Sequence, residues 1–250
     1  MIFLEEEKRE QFEDFLLERI DEVEFEQAWL SKFTNCLDEA VGLEIRDKIL
    51  DSNEINYREI RLHDVIEWSK SAMEKLDQLV DEKTRKEIMT GCACQMPTIR
   101  LQKMREKYAE TKNLQLVHQM LQEQFEGDLK AFLSLDEEQI DEIRTKGWGV
   151  AGVIRGDKII ATKMPAKYHD YMRATDSREK KYLFCHCARV KSLIMKQDES
   201  ISLTYCYCGA GFYKGIWEEI LQQPVNVKVL ESVLQGDEVC KIAIHLPTSI

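Results

Sequence analysis

The chain has 250 residues, is 44% hydrophobic and 32% charged, and carries a net charge of −11, which places it among soluble globular proteins with room for one large or two small cores. Residues 1–60 hold 7 Lys and Arg against 18 Asp and Glu, whereas the rest is balanced at 28 of each, so no basic stripe is available for a phosphate backbone and nucleic acid is not expected as a direct partner. No apolar run reaches membrane-spanning length, and MIFLEEEKREQ lacks the pattern of a secretion signal, so a cytoplasmic protein in a reducing compartment is expected, with no membrane partner.

From residue 4 to residue 134 the pattern is helical, with Pro97 the sole proline. Phe12, Phe15, Leu16, Ile20 and Val23 recur at helix spacing, as do Val65, Ile66, Ala72, Met73 and Leu76, and then Leu116, Val117, Met120, Leu121, Phe125 and Leu129. Ser134 and Glu137 have the spacing of a capping box, which predicts a short helix over DEEQIDEIRTK that Gly147 ends. The acidic helices of residues 1–84 form one region, a candidate surface for a protein partner or a second copy of the chain. Residues 85–250 form a cysteine-rich α+β domain.

After Gly147 the pattern changes. GWGVAGVI, the turn RGD and KIIATKMP predict a β-hairpin over residues 148–164. A polar bridge then leads to a strand at YLFCHC, a helix at ARVKSLIMKQ, a strand at SISLTYCYC, a glycine turn and a helix at FYKGIWEEILQQ. Two strands, VNVKVLESV and VCKIAIHL, close the chain. The expected class is α+β, with a helical N-terminal half and a largely antiparallel C-terminal sheet with helices.

Six of the eight cysteines form Cys-x-Cys pairs, Cys92/Cys94, Cys185/Cys187 and Cys206/Cys208, with Cys240 near the end. Random placement gives about a quarter of one such pair, so the pairing calls for a shared metal or thiol chemistry. On strands, residues i and i+2 face the same side, so Cys185/Cys187 and Cys206/Cys208 on neighbouring strands would offer a four-thiolate shell for zinc or an iron–sulfur cluster. Cys92 and Cys94, in a loop after a helix, are a second tier that completes this centre or carries separate redox chemistry. Cys36, on a helical pattern in the acidic region, is expected to leave metal content unchanged when replaced. Gly209 and Gly211, between strand and helix, either let a ligand approach the backbone or allow close packing. Gly147, Gly149 and Gly152 spell G-x-G-x-x-G but lie between a helix and a strand, the wrong context for a dinucleotide. His186, between two cysteines, would point away from them, whereas His63 and His118 read as ordinary helix residues.

The stretch Tyr182 to Pro247, with FCHCARVKSLI and YCYCGAGFYKG, resembles a family of cysteine-rich bacterial and archaeal proteins related to L-2-amino-thiazoline-4-carboxylic acid hydrolase and, more distantly, to the 4-vinyl-reductase-type ligand-binding domain. GCACQMP, GWGVAGVI and IIATKMP also look like that family's pattern. The resemblance implies zinc beside a small-molecule pocket, with Cys206 and Cys240 as two ligands and with Ser232 and Val229 standing where the pattern has a cysteine and an acid, Glu231 being nearby. The expected function is therefore metal binding, zinc first, at Cys185, Cys187, Cys206, Cys208 and Cys240 beside a small-molecule ligand. No residue is assigned a catalytic role. A metal-dependent hydrolase of a small cyclic amide or thiazoline, and a redox or iron–sulfur protein, are the rival readings.

Overall fold

The computed structural model describes residues 22–50, 62–196 and 199–247. The helix expected around Phe12 to Ile20 lies outside them.

Helices come first. α1 (Glu22–Leu50) is interrupted at Gly42, whose φ of 76° breaks the helical path. It is followed by α2 (Leu62–Leu79), α3 (Glu82–Gly91), α4 (Thr98–Thr111), α5 (Leu114–Leu133) and α6 (Glu137–Lys146). Asp81 caps α3 by accepting from the Lys83 and Thr84 amides, and Asn113 caps α5 through the Leu116 amide. The apolar periodicity of α5 is realised, because Val117, Leu121, Phe125 and Leu129 are all buried.

The capping box before α6 uses Asp136 with Gln139, not Ser134 with Glu137. Asp136 accepts from the Gln139 amide, and the Gln139 side chain accepts from the Asp136 amide. Ser134 instead ends α5 in the left-handed conformation, with φ 55°. Asp136→Ala should therefore cost about 1 kcal/mol, read from denaturant unfolding, whereas Ser134→Gly should not destabilise; equal losses at both would refute this assignment of the cap.

The C-terminal half is a four-stranded antiparallel sheet in the order β1 (Val153–Arg155), β2 (Lys158–Thr162), β4 (Lys241–His245) and β3 (Asn226–Glu231). The β1–β2 hairpin falls where the turn residues place it, pairing Val153 with Ile160 and Arg155 with Lys158. The glycines before it serve packing: with φ of 122° and 67°, Gly149 and Gly152 lie so close to the Phe125 ring and the Ile160 carbonyl that a Cβ on either would overlap them. Helices α7 (Tyr168–Arg173), α8 (Ser177–Phe184), α9 (Ala188–Met195) and α10 (Tyr207–Leu221) complete the fold, together with 3-10 turns at Leu203–Cys206 and Val233–Gln235.

Two expected strands are absent. In YLFCHC, residues 182–184 end the helix α8, which starts because Asp176 accepts from the Arg178 and Glu179 amides, and residues 185–187 form the turn that follows it. The reading of residues 166–181 as a polar bridge passed over that acid N-cap. SISLTYCYC forms the 3-10 turn and runs straight into α10. Ser202 caps this turn through the Thr204 amide, and the Thr204 hydroxyl donates to Asp77 at 2.8 Å, tying the segment to α2. Gly209 and Gly211 thus stand in the first turns of a helix, with no strand before them.

One core joins both halves. Phe33 and Leu37 of α1, Leu76 of α2, Leu121 of α5, Phe184 of α8, Trp217 of α10 and Ile244 of β4 are all fully buried within it. The described part of the acidic region therefore docks on the cysteine-rich half, with α1 against α3 and α2 against α9. Among the described residues no helix is long and apolar enough to cross a membrane.

Candidate functional site

Lys163 follows β2 directly, and its amide donates to the Cys240 carbonyl at 2.9 Å, which brings β2 and the residue before β4 together. Gly209 makes room for the ammonium, since a Cβ there would lie 2.5 Å from Nζ. Around this lysine stands a pocket lined by Cys185, Cys187, Cys206, Cys240, Ser232 and Glu231, among others. Its free space is about 400 Å³ with the mouth included, and the enclosed part is about the size of a single ion or water.

Three local structures supply the sulfurs. Cys185 closes α8 and Cys187 opens α9, so the pair brackets the turn between two helices. Cys206 opens α10, and its sulfur lies 3.1 Å from the Ser232 hydroxyl. Cys240 stands at the entry to β4, beside Ser232. Cys206, Ser232 and Cys240, three of the positions that the resemblance selects, thus meet in space, and Val229 and Glu231 line the same pocket. Glu231 is paired with Lys241 at 2.6 Å.

The site is electropositive before any thiol ionises. α9 and α10 both begin at it, and unpaired amides at a helix N-terminus favour negative charge. Burial opposes the charge on Lys163, but Cys187, Cys240, Tyr213 and Cys185 outweigh it and hold its pKa above the ordinary lysine value. A hydrogen bond from Cys185 lowers the pKa of Cys187, and Lys163 and Lys191 reinforce this against burial; the Cys185 thiol is raised in return. Burial pushes Cys206 up to about 12, partly offset by Ser232, and raises Cys240 against the pull of Lys163. Tyr213 is likewise pushed up to about 12 by burial.

Cys208 lies elsewhere. In a helix, residues i and i+2 diverge by about 200°, so Cys206 faces the pocket and Cys208 faces away from it. The Trp29 indole donates to the Cys208 sulfur at 3.4 Å, and the Cys92 thiol, which donates to the Met89 carbonyl at 3.2 Å, stands beside it. This neighbour lowers the pKa of Cys208 against burial, while burial raises Cys92. Cys94 is pushed up to about 12 by burial and then by Cys208. Cys36, on α1, has its sulfur packed on Gly91, next to Cys92.

His186 turns its Nε2 to the Met164 carbonyl at 2.7 Å and not to the thiols beside it; desolvation and then Lys163 lower its pKa. His118 packs on Trp217 and reaches the Gly152 carbonyl at 2.9 Å, an ordinary structural role. The side chain of His63 lies outside the described residues. Gly211 packs against α3. Among the described residues no three Cys, His, Asp or Glu side chains stand together as a ready cation site. Sequence reasoning missed Lys163, although a signal was present: Ile159, Ala161 and Lys163 alternate, so the inward face of β2 continues to the lysine.

The match to a known family falls on this half. A model described as a family of unknown function, DUF6144, matches residues 160–250, a span that contains Lys163 and all four cysteines of the pocket. Neither a curated protein nor a solved structure matches the chain.

Proposed function

We propose that the protein binds a soft, thiophilic metal ion, zinc first, at Cys185, Cys187, Cys206 and Cys240. The observation that carries this reading is the convergence of four sulfurs, from the α8–α9 turn, the start of α10 and the entry to β4, on one ion-sized pocket. Zinc takes four such ligands. A zinc ion with four thiolates carries a net charge of −2, which Lys163 and the two helix N-termini offset. Because the sulfurs do not already form a shell, binding turns them inward by rotation about χ1, which short cysteine side chains accomplish between staggered wells. This chemistry suits a reducing compartment such as the cytoplasm.

Protein purified without chelators should carry about one zinc per chain, and Co²⁺ in its place should give a thiolate charge-transfer band. Cys206→Ser should lose stoichiometric binding, and the wild type should melt at a lower temperature once stripped, since metal-binding energy is then folding energy. Metal-free protein with no Co²⁺ band would end the metal reading. A broad visible absorbance with iron and sulfide would replace zinc by an iron–sulfur cluster.

A further inference from the structure

We propose that Cys208 and Cys92 form a redox-active dithiol, separate from the pocket, that closes to a disulfide on reaction with a low-molecular-weight disulfide such as oxidised glutathione. Neither sulfur lines the pocket, so this goes beyond the metal reading and does not depend on it.

Three observations carry it. The two sulfurs come from different elements, the end of α3 and the first turn of α10, and stand close enough to interact. The backbones that hold them are as close as two helices allow: a Cβ on Gly211 would lie 2.2 Å from the Thr90 carbonyl oxygen. Cys92 follows Thr90 by two residues and Cys208 precedes Gly211 by three, so the cysteines sit beside this contact and a short S–S bond is within reach. The pair is also asymmetric. Cys92 is fully buried, whereas Cys208 is half-buried, with the Trp29 N–H directed at its sulfur.

That asymmetry sets the order of steps. The Cys208 sulfur attacks one sulfur of oxidised glutathione; a bond forms between them, and the other half leaves as glutathione with the proton that Cys208 gave up. The Cys92 sulfur then attacks the Cys208 sulfur of the mixed disulfide. The second glutathione leaves with the Cys92 proton, and the Cys92–Cys208 bond is formed. The protein dithiol has lost two electrons and two protons, and the glutathione disulfide has gained them. Cys92 lies 3.2 Å from the Met89 carbonyl, an acceptor that holds its proton while Cys208 reacts.

The test uses the full chain, reduced and stripped of metal with a chelator. It is incubated anaerobically with oxidised glutathione, quenched in acid, alkylated and peptide-mapped. The expected first protein disulfide is Cys92–Cys208, whatever glutathione adduct the depressed thiol Cys187 of the pocket acquires. Cys92→Ser should stop with one glutathione on Cys208, and Cys208→Ser should slow modification of Cys92 by about tenfold or more. A different first disulfide, a lasting glutathione adduct on wild-type Cys208, or Cys92 and Cys208 both alkylated would each overturn the proposal. Wild-type mapping alone decides if the buried Cys92 variant does not fold. Because the readout is a disulfide in metal-free protein, its failure is distinct from failure of zinc binding.

Discussion

Gly211→Ala should lower the stability by about 3 kcal/mol, which for a chain of this size lowers the melting temperature by about 6–12 °C. The added Cβ would lie 2.2 Å from the Thr90 carbonyl oxygen, 2.7 Å from the Ala93 Cβ and 2.8 Å from the Thr90 Cα. Backbone cannot swing aside as a flexible side chain does, so α3 and α10 must separate along their whole contact. The matched control is Gly127, on α5, where a Cβ meets nothing within 4 Å; Gly127→Ala should be neutral or stabilise by about 0.5–1 kcal/mol. If Gly211→Ala melts with the wild type, the two helices do not pack this closely. The reading of Cys92 and Cys208 as neighbours would lose its backbone support as well.

In chelator-treated protein, Cys187 should be alkylated at a pH below that of an ordinary thiol, and Lys163→Met should move that midpoint upward. The hydrogen bond from Cys185 lowers the pKa of Cys187, with Lys163 and Lys191 adding to it and burial opposing; methionine keeps the length of the side chain and removes one of the charges. From a folded value of about 6, a rise of about one unit slows alkylation about tenfold at pH well below the midpoint and about twofold near neutral pH. The sign for stability follows. A thiol whose folded pKa is depressed contributes stability that is fully present above the unfolded thiol pKa and is lost as pH falls through the folded value. Lys163→Met narrows that window, so the variant's deficit relative to the wild type should grow from acid toward neutral and mildly alkaline pH. An unchanged alkylation profile for Cys187 would show that Lys163 does not act on this sulfur.

The strengths and failures of the sequence reading have a common origin in range. Gly147 marks the change from helices to sheet, and the hairpin around Gly156, α10 and the strands β3 and β4 are legible because periodicity and turn residues act over a few positions. The segments around the cysteines misled for the same reason. Ile201, Leu203, Tyr205 and Tyr207 alternate like a strand, yet Ser202 starts a 3-10 turn and Thr204 binds Asp77, more than a hundred residues earlier in the chain. No local pattern contains that contact.

The cysteine pairing by itself directed attention to the sulfurs, and the resemblance placed Cys206, Ser232 and Cys240 in one set that the fold does bring together. How the sulfurs are grouped was decided only in three dimensions. A strand would have kept Cys206 and Cys208 on one side; the helix turns them about 200° apart, sending one to the Lys163 pocket and the other to Trp29 and Cys92. The lysine at the centre and the arrival of Cys36 beside Cys92 depend on packing between β2, α1, α3 and α10. Side-chain direction follows backbone conformation, and near the cysteines that conformation is set by distant partners and not by neighbours in the chain.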